Sequence, residues 1–119
     1  FGLLGHLRNV AVASGCRATV WLEKVPVLDA AWTYVREGIA PGGTHANLRF
    51  LREHTTFADD IEEESKLVLA DAQTSGGLLL AVEPSRAGAL VAALGRFGTP
   101  AAAVIGHTVE GTPGRIGIR

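Results

Sequence analysis

The sequence predicts an α+β domain in which helices pack on a mixed β-sheet. Segments with apolar residues at helical spacing alternate with short apolar runs that Gly and Pro interrupt. Hydrophobic residues make up 47% of the 119 residues, which is enough for one buried core. The apolar runs are far shorter than the about 20 residues that a membrane helix needs. We therefore expect a single domain, residues 1–119, with a layered α/β architecture and no contact with a membrane.

The first half of the chain predicts three helices and one strand. Apolar residues recur at helical spacing over residues 3–14, and Gly15 supplies a stop for that helix. Alternation of apolar and polar side chains predicts a strand over residues 17–23. A second helical stripe covers residues 28–35 and ends before Gly38. A third, short helix is expected to begin near Thr44 or His45.

The second half predicts a connection followed by strands and one crossover helix. Residues 55–64 are polar and acidic, which is typical of a surface connection. A helix is expected from Pro84, and it should cover one face of the sheet. The expected strands are residues 66–70, 78–82, 102–109 and 115–119.

Composition excludes several classes of protein. The 11 basic and 12 acidic residues form no basic stripe, so nucleic acid is not an expected partner. The single Cys16 excludes an internal disulfide, and no secretory signal is visible. A cytoplasmic location is therefore predicted. The chain starts at Phe1 rather than at a methionine, which suggests a domain of a longer protein.

Residues 71–77, Asp-Ala-Gln-Thr-Ser-Gly-Gly, carry more polar groups than a turn requires. One interpretation is a ligand-facing loop whose side-chain oxygens and N–H groups bind an anion or nucleotide. The other is a hydrogen-bonded loop that leads into the next strand, with Gly76 or Gly77 at positive φ. The residues concerned are Asp71, Gln73, Thr74, Ser75, Gly76 and Gly77.

A second polar segment, Pro41-Gly42-Gly43-Thr44, precedes the third predicted helix. The N–H groups of Gly42, Gly43 and Thr44 at a helix N-terminus can bind phosphate. Alternatively, this segment only turns the chain and Thr44 caps the helix. Asn47 either assists a ligand or bonds backbone in the first turn.

No metal site and no catalytic residue is predicted in this chain. Asp71 has no second carboxylate nearby in sequence with which to share a hard cation. The four histidines are scattered and none pairs at a zinc-binding spacing. His6 and Cys16 are expected to serve packing or surface roles.

Three motifs occur together in one order: residues 1–7 (Phe-Gly-Leu-Leu-Gly-His-Leu), Pro41 to Thr44 with Asn47, and residues 71–80. Over essentially its full length the chain resembles the C-terminal part of selenophosphate synthetase (selenide, water dikinase), with Ala72 where that family commonly has proline. The resemblance implies the C-terminal domain fold of the aminoimidazole ribonucleotide synthetase superfamily. That fold is a layered α/β sandwich with partial ferredoxin-like topology.

The resemblance also implies an activity for a longer, two-domain enzyme. That enzyme makes selenophosphate, AMP and phosphate from ATP, selenide and water, with Mg²⁺. Its reactive cysteine or selenocysteine, a lysine and most metal-binding aspartates lie in an N-terminal ATP-binding domain, and the family forms homodimers. The ten residues singled out above would then line one wall of a shared cleft, and this domain alone would bind no cofactor and be inactive.

Other assignments remain open from the sequence. Thiamine-monophosphate kinase and the purine-pathway synthetases belong to the same superfamily and are alternative ATP-dependent enzymes. A stand-alone ligand-binding or regulatory module is a further alternative, because ferredoxin-like domains often serve that purpose.

Overall fold

A computed structural model describes all 119 residues and contains five α-helices and four β-strands. A short 3₁₀ turn, Leu22–Lys24, follows the first strand. In chain order the elements are α1 (Gly2–Ala13), β1 (Cys16–Val20), α2 (Asp29–Arg36), α3 (Gly42–Leu51), β2 (Thr55–Phe57), α4 (Glu63–Leu69), α5 (Pro84–Arg96), β3 (Gly106–Glu110) and β4 (Ile116–Ile118).

The four strands form one mixed sheet in the order β2-β4-β1-β3, which confirms the predicted α+β class. Strand β4 lies parallel to both β1 and β2, whereas β3 runs antiparallel to β1. The register pairs Ala18 with Ile116 and Val20 with Ile118. Because side chains alternate along a strand, these four residues share one face of the sheet.

The hydrophobic core lies between that face and helices α1, α3 and α4. These helices contribute Leu4, Leu48, Leu51 and Leu69, all of which are buried. Polar and charged side chains such as Arg17 lie at the alternate, less buried positions of β1. The predicted packing of helices on a mixed sheet is therefore confirmed for three of the five helices.

The end of α1 follows the predicted glycine stop. Ser14 is the C-terminal cap, and its N–H donates to the carbonyl of Val10. Gly15 then adopts φ 64°, a left-handed conformation that residues with a Cβ rarely adopt. The chain can thus turn directly from α1 into β1.

The structure corrects several predicted boundaries in the first half. The strand expected over residues 17–23 ends at Val20, where the chain turns into Leu22–Lys24. Helix α3 begins at Gly42 rather than near Thr44, because Pro41 already takes the N-cap position. The expected surface connection over residues 55–64 contains β2 and the start of α4.

The predicted strand over residues 66–70 is wrong, because residues 66–69 lie in α4 and Ala70 is its C-terminal cap. Within α4, Ser65 and Leu69 are both buried and stand four residues apart, which is helical spacing. Glu63 and Glu64 occupy the first turn of the helix, where carboxylates interact favourably with its dipole. Burial of one helical face therefore overrides the local alternation of Leu67 and Leu69.

The predicted strand over residues 78–82 is also wrong, because the segment has no regular secondary structure and no partner strand. The expected strand over residues 102–109 begins only at Gly106. Helix α5 forms as predicted but contains no buried residue, so its assignment as a cover for the sheet is wrong. None of the helices combines the length and apolar character needed to cross a bilayer.

Candidate functional site

The three sequence motifs meet at one place in the fold, around residues 70–72 just after α4. Ala70 is the C-terminal cap of that helix and is fully buried. The first turn of α1 and the first turn of α3 both contact this short segment. The long polar loop that begins at Asp71 therefore starts from a fixed point.

Thr44 forms the principal link between the second and third motifs. Its side chain is buried, and its Oγ1 donates a hydrogen bond to Asp71 Oδ1 at 2.8 Å. The same oxygen accepts a hydrogen bond from the N–H of Ala72 at 3.1 Å. The cap position belongs to Pro41 and no side chain caps α3, so the interpretation of Thr44 as a helix cap is wrong.

Asn47 provides a second link, three residues after Thr44 and hence on the same side of α3. Its Nδ2 donates to the carbonyl of Ala70 at 3.0 Å. This carbonyl is at the end of α4, where the last carbonyls of a helix lack intrahelical partners. Asn47 thus bonds backbone, as one interpretation held, but in another helix rather than in its own first turn.

Gly2 and Gly43 allow the backbones to approach closely at this junction. A Cβ on Gly2 would lie 2.6 Å from the carbonyl oxygen of Asp71, and Gly2 has φ 65°. A Cβ on Gly43 would lie 3.3 Å from the Cβ of Ala72. Sequence reasoning noted Gly2 only as part of a motif and missed this contact, since neither its φ nor its distant neighbour can be read locally.

The rest of the loop, residues 73–77, is exposed and makes few internal contacts. The side chains of Gln73, Thr74 and Ser75 form no hydrogen bond within the chain. Gln73 lies over Gly76, where a Cβ would stand 2.9 Å from its Oε1. Gly76 and Gly77 do not have positive φ, so that expectation is wrong.

The loop therefore divides into an anchored start and a free tip. At the start, Thr44, Asn47 and Asp71 are brought together and hydrogen-bonded. At the tip, two hydroxyls and a carboxamide can donate or accept hydrogen bonds from outside the chain. Gly42 lies apart from the loop contacts, and its N–H at the start of α3 has no intrahelical partner.

The side chains of this chain do not form a complete metal site by themselves. No three His, Cys, Asp or Glu side chains come together in the structure. Asp71 is the only carboxylate at the junction, and one of its oxygens already accepts from Thr44. Mg²⁺ usually keeps several waters and is bound by one or two carboxylates together with substrate phosphates, so Asp71 alone does not make a complete site. The side chains at the junction are therefore suited to hydrogen bonding rather than to metal ligation.

Two reactive side chains considered in the sequence, His6 and Cys16, form no hydrogen bond with residues 71–77. His6 is exposed on α1, with its ring 5.9 Å from the ring of Phe1 in an edge-on arrangement. Cys16 is a free, half-buried thiol at the start of β1. These positions agree with a surface location for His6 and a half-buried thiol for Cys16, and the roles of both residues stay predictions.

Comparison with known protein families shows which family this chain matches. The sequence model of the family described as AIR synthase related protein, C-terminal domain, matches residues 1–119. The chain belongs to this family. The mixed α+β fold agrees with the superfamily that the three motifs indicated.

Curated relatives of this family member carry one printed name, "Selenide, water dikinase". The relative from Carboxydothermus hydrogenoformans is 40% identical over 119 residues, which are 100% of this chain and 34% of that protein. The relative from Porphyromonas gingivalis is 46% identical over 111 residues, 92% of this chain and 31% of that protein. The relative from Myxococcus xanthus is 40% identical over 114 residues, which are 96% of this chain and 32% of that protein. The chain thus spans about a third of the length of these relatives.

Proposed function

We propose that this chain is the C-terminal domain of a selenide, water dikinase and forms one wall of its substrate cleft. The observation that carries the proposal is the meeting of all three motifs at residues 70–72. Its support also includes the shared name of relatives that are 40% and 46% identical to this chain. The complete enzyme would convert ATP, selenide and water into selenophosphate, AMP and phosphate.

The work of this domain would be to bind and orient rather than to react. Thr44 and Asn47 hold the start of the loop, so that Gln73, Thr74 and Ser75 extend from a fixed base. Hydroxyl, amide and backbone N–H groups are suitable donors to the oxygens of a phosphate group. The N–H groups of Gly42 and Gly43 at the start of α3 would add to the same wall.

The remaining parts of the enzyme would supply the chemistry. A nucleophile, the Mg²⁺ ligands and most of the ATP contacts are assigned to an N-terminal domain, which is also the proposed partner of this chain. Phosphoryl transfer depends on positioning and on neutralising phosphate charge, and this chain contains no cluster suited to hold the metal. A cytoplasmic location and a homodimer of the full-length enzyme are part of the same proposal.

The loop is tested by Thr74→Val in the full-length enzyme, with Thr99→Val as the matched control. Both threonines are exposed and neither side chain makes a hydrogen bond in the chain. Loss of a hydrogen bond to a charged phosphate should reduce kcat/KM for ATP by about tenfold to a hundredfold in Thr74→Val. Thr99→Val should match the wild type. Equal kcat/KM in the wild type and both variants would show that Thr74 does not contact the substrate, which contradicts the proposed place of the loop in the cleft.

The division of labour is tested with the 119-residue chain alone. Purified chain incubated with ATP, Mg²⁺ and selenide should form neither AMP nor selenophosphate, because the reactive nucleophile and the Mg²⁺ ligands are assigned to the N-terminal domain. Phosphorus NMR distinguishes both products from ATP. Sustained turnover by this chain would show that it contains a complete active site. Full-length enzyme that consumes ATP with another acceptor but not with selenide would point to a related superfamily enzyme instead.

A further inference from the structure

The face of the sheet that points away from α1, α3 and α4 carries three arginines. Because side chains alternate along a strand, the neighbours of the buried residues in β1 and β4 point to this face. Arg17 lies in β1, and Arg115 and Arg119 directly precede and follow β4. The hydrogen-bonded ladder includes both flanking arginines, whose backbone groups bond to the backbone of Ala18 and Val20. All three arginines are exposed and line one open cavity of about 430 Å³.

The charge of these arginines is not neutralised within the chain. None of the three forms an ion pair with a carboxylate, and no Asp or Glu lines the cavity. Arg115 donates a hydrogen bond to the backbone carbonyl of Glu53, which is a neutral group. The net charge of the chain is −1, so a cluster of positive charge does not follow from its composition. The cavity is therefore a local site of positive charge that can attract an anion.

Two of the arginines stand side by side on neighbouring strands. The register pairs Ala18 with Ile116. Arg17 and Arg115 each stand one position earlier on these parallel strands, so they are neighbours. Adjacent strands are about 4.8 Å apart, and like charges at facing positions destabilise a sheet. An anion bound between the two guanidinium groups offsets that repulsion, and the guanidinium fork matches the geometry of phosphate oxygens.

The floor of the cavity has a glycine at its centre. The register places Gly117 of β4 between Thr19 of β1 and Thr56 of β2. A Cβ on Gly117 would meet nothing within 4 Å, so the packing of the chain does not require a glycine there. Glycine inside a strand lowers stability and often marks a place where a ligand approaches the backbone closely. The hydroxyls of Thr19 and Thr56 form no hydrogen bond within the chain and can donate to such a ligand.

We propose that this face of the sheet binds a chain of linked phosphate groups, either free polyphosphate or the phosphates of a nucleotide. Arg17 and Arg115 bind the phosphate at one end. Arg119 stands four residues beyond Arg115, about 13 Å at about 3.3 Å per residue, so the linked groups extend across Gly117 towards it. A phosphate presents three oxygens and up to two charges, whereas a carboxylate presents two oxygens and one charge. Phosphate therefore suits a pair of adjacent arginines better than an acidic side chain does.

Modification of arginines by phenylglyoxal in the full-length enzyme, mapped by mass spectrometry of peptides, tests the site. Saturating tripolyphosphate should slow the modification of Arg17 and Arg119 at least about fivefold relative to NaCl of equal ionic strength. Arg86, which is exposed and has no ion pair, is the matched control and should react at an unchanged rate. Equal slowing of all three, or of none, overturns the proposal.

Two further results of the same experiment are informative. If Arg17 and Arg119 do not react even before tripolyphosphate is added, another part of the enzyme covers this face, and that also overturns the proposal. ATP without selenide distinguishes the two sources of linked phosphates. Protection at a lower concentration of ATP than of tripolyphosphate identifies a nucleotide, and the reverse identifies free polyphosphate; either result upholds the site.

Variants of the full-length enzyme identify the residues responsible, with the tripolyphosphate concentration that half-protects Arg119 as the readout. Arg17→Gln should raise this concentration about tenfold to a hundredfold, because a hydrogen bond to a charged group is lost. Gly117→Val should also raise it, since the new side chain occupies the floor, without lowering the unfolding temperature. Arg86→Gln should leave it unchanged. An unchanged value in Arg17→Gln or in Gly117→Val overturns the site.

The same readout separates this site from the proposed function. The hydrophobic core lies between this face of the sheet and the helices that meet at residues 70–72. Thr74→Val should therefore leave the half-protecting concentration at Arg119 unchanged, whatever it does to kcat/KM for ATP. A tenfold rise in Thr74→Val would show that Arg119 responds to binding at the loop, and this would overturn a separate site on the sheet.

Discussion

The chain contains two regions that differ sharply in burial although both are rich in apolar residues. Every buried residue lies within residues 1–70 or 114–118, and none lies within residues 71–113. The first region, with β1, β4 and helices α1, α3 and α4, encloses the core. The second contains the polar loop, residues 78–82 and α5, and only β3 of this region joins the sheet.

Helices α1 and α5 show what separates the two regions. Both carry apolar side chains along one face, but α1 buries Leu4, Leu7 and Ala11 whereas α5 buries none. Propensity and pattern suffice to form a helix, yet the free energy of the hydrophobic effect is gained only when a partner surface covers that face. The second region is thus formed locally, and Asp71 marks the point after which no residue is buried until residue 114.

The largest expected difference between the regions is the cost of removing a leucine side chain. Leu51→Ala in the core should lower the free energy of unfolding by about 2–5 kcal/mol, because Leu51 is almost fully buried. Leu80→Ala should change it by less than about 0.5 kcal/mol in the 119-residue chain. Urea unfolding followed by circular dichroism measures both values. Comparable losses would show that residues 78–82 belong to the core.

The boundary itself is tested by the hydroxyl of Thr44. Thr44→Val leaves Asp71 Oδ1 and the Ala72 N–H without their partner, which should cost about 1–3 kcal/mol. Thr44→Ser retains the hydroxyl and should recover most of that loss. Chemical denaturation of the two variants gives the comparison. If the Thr44→Val and Thr44→Ser variants are equally stable, the hydrogen bonds of Thr44 do not anchor the loop.

The smallest expected effect concerns whether α5 unfolds independently of the core. Gly88→Ala replaces an exposed residue within the helix, and the new Cβ would meet nothing within 4 Å. The alanine should stabilise α5 by about 1 kcal/mol, so its amides should exchange about fivefold more slowly. Ala89→Gly, at the neighbouring exposed position, should have the opposite effect. The midpoint of urea unfolding should be unchanged in both variants, and a parallel shift would place α5 in the cooperative unit.

Sequence patterns succeeded where the structure depends on neighbours along the chain. Gly15 ends α1 because only glycine readily takes the left-handed conformation there. The pattern failed at residues 66–70, where Leu67 and Leu69 alternate as in a strand. The helical period becomes visible only when Ser65 and Leu69 are known to face the same core. The prediction for residues 78–82 was wrong for a different reason: the segment has the pattern of a strand, but it pairs with no strand of the sheet.

The amino-acid sequence by itself determined the α+β class, the three motifs and the family to which they point. It left open whether Asn47 assists a ligand or bonds backbone in its own first turn, and the structure shows a bond to the carbonyl of Ala70 instead. Only the tertiary structure joined Thr44 to Asp71, 27 residues away, and set Gly2 against the same segment. Local periodicity reports conformation because it depends on a few adjacent residues. Contacts between distant residues depend on how the whole core packs, and no local pattern contains that information.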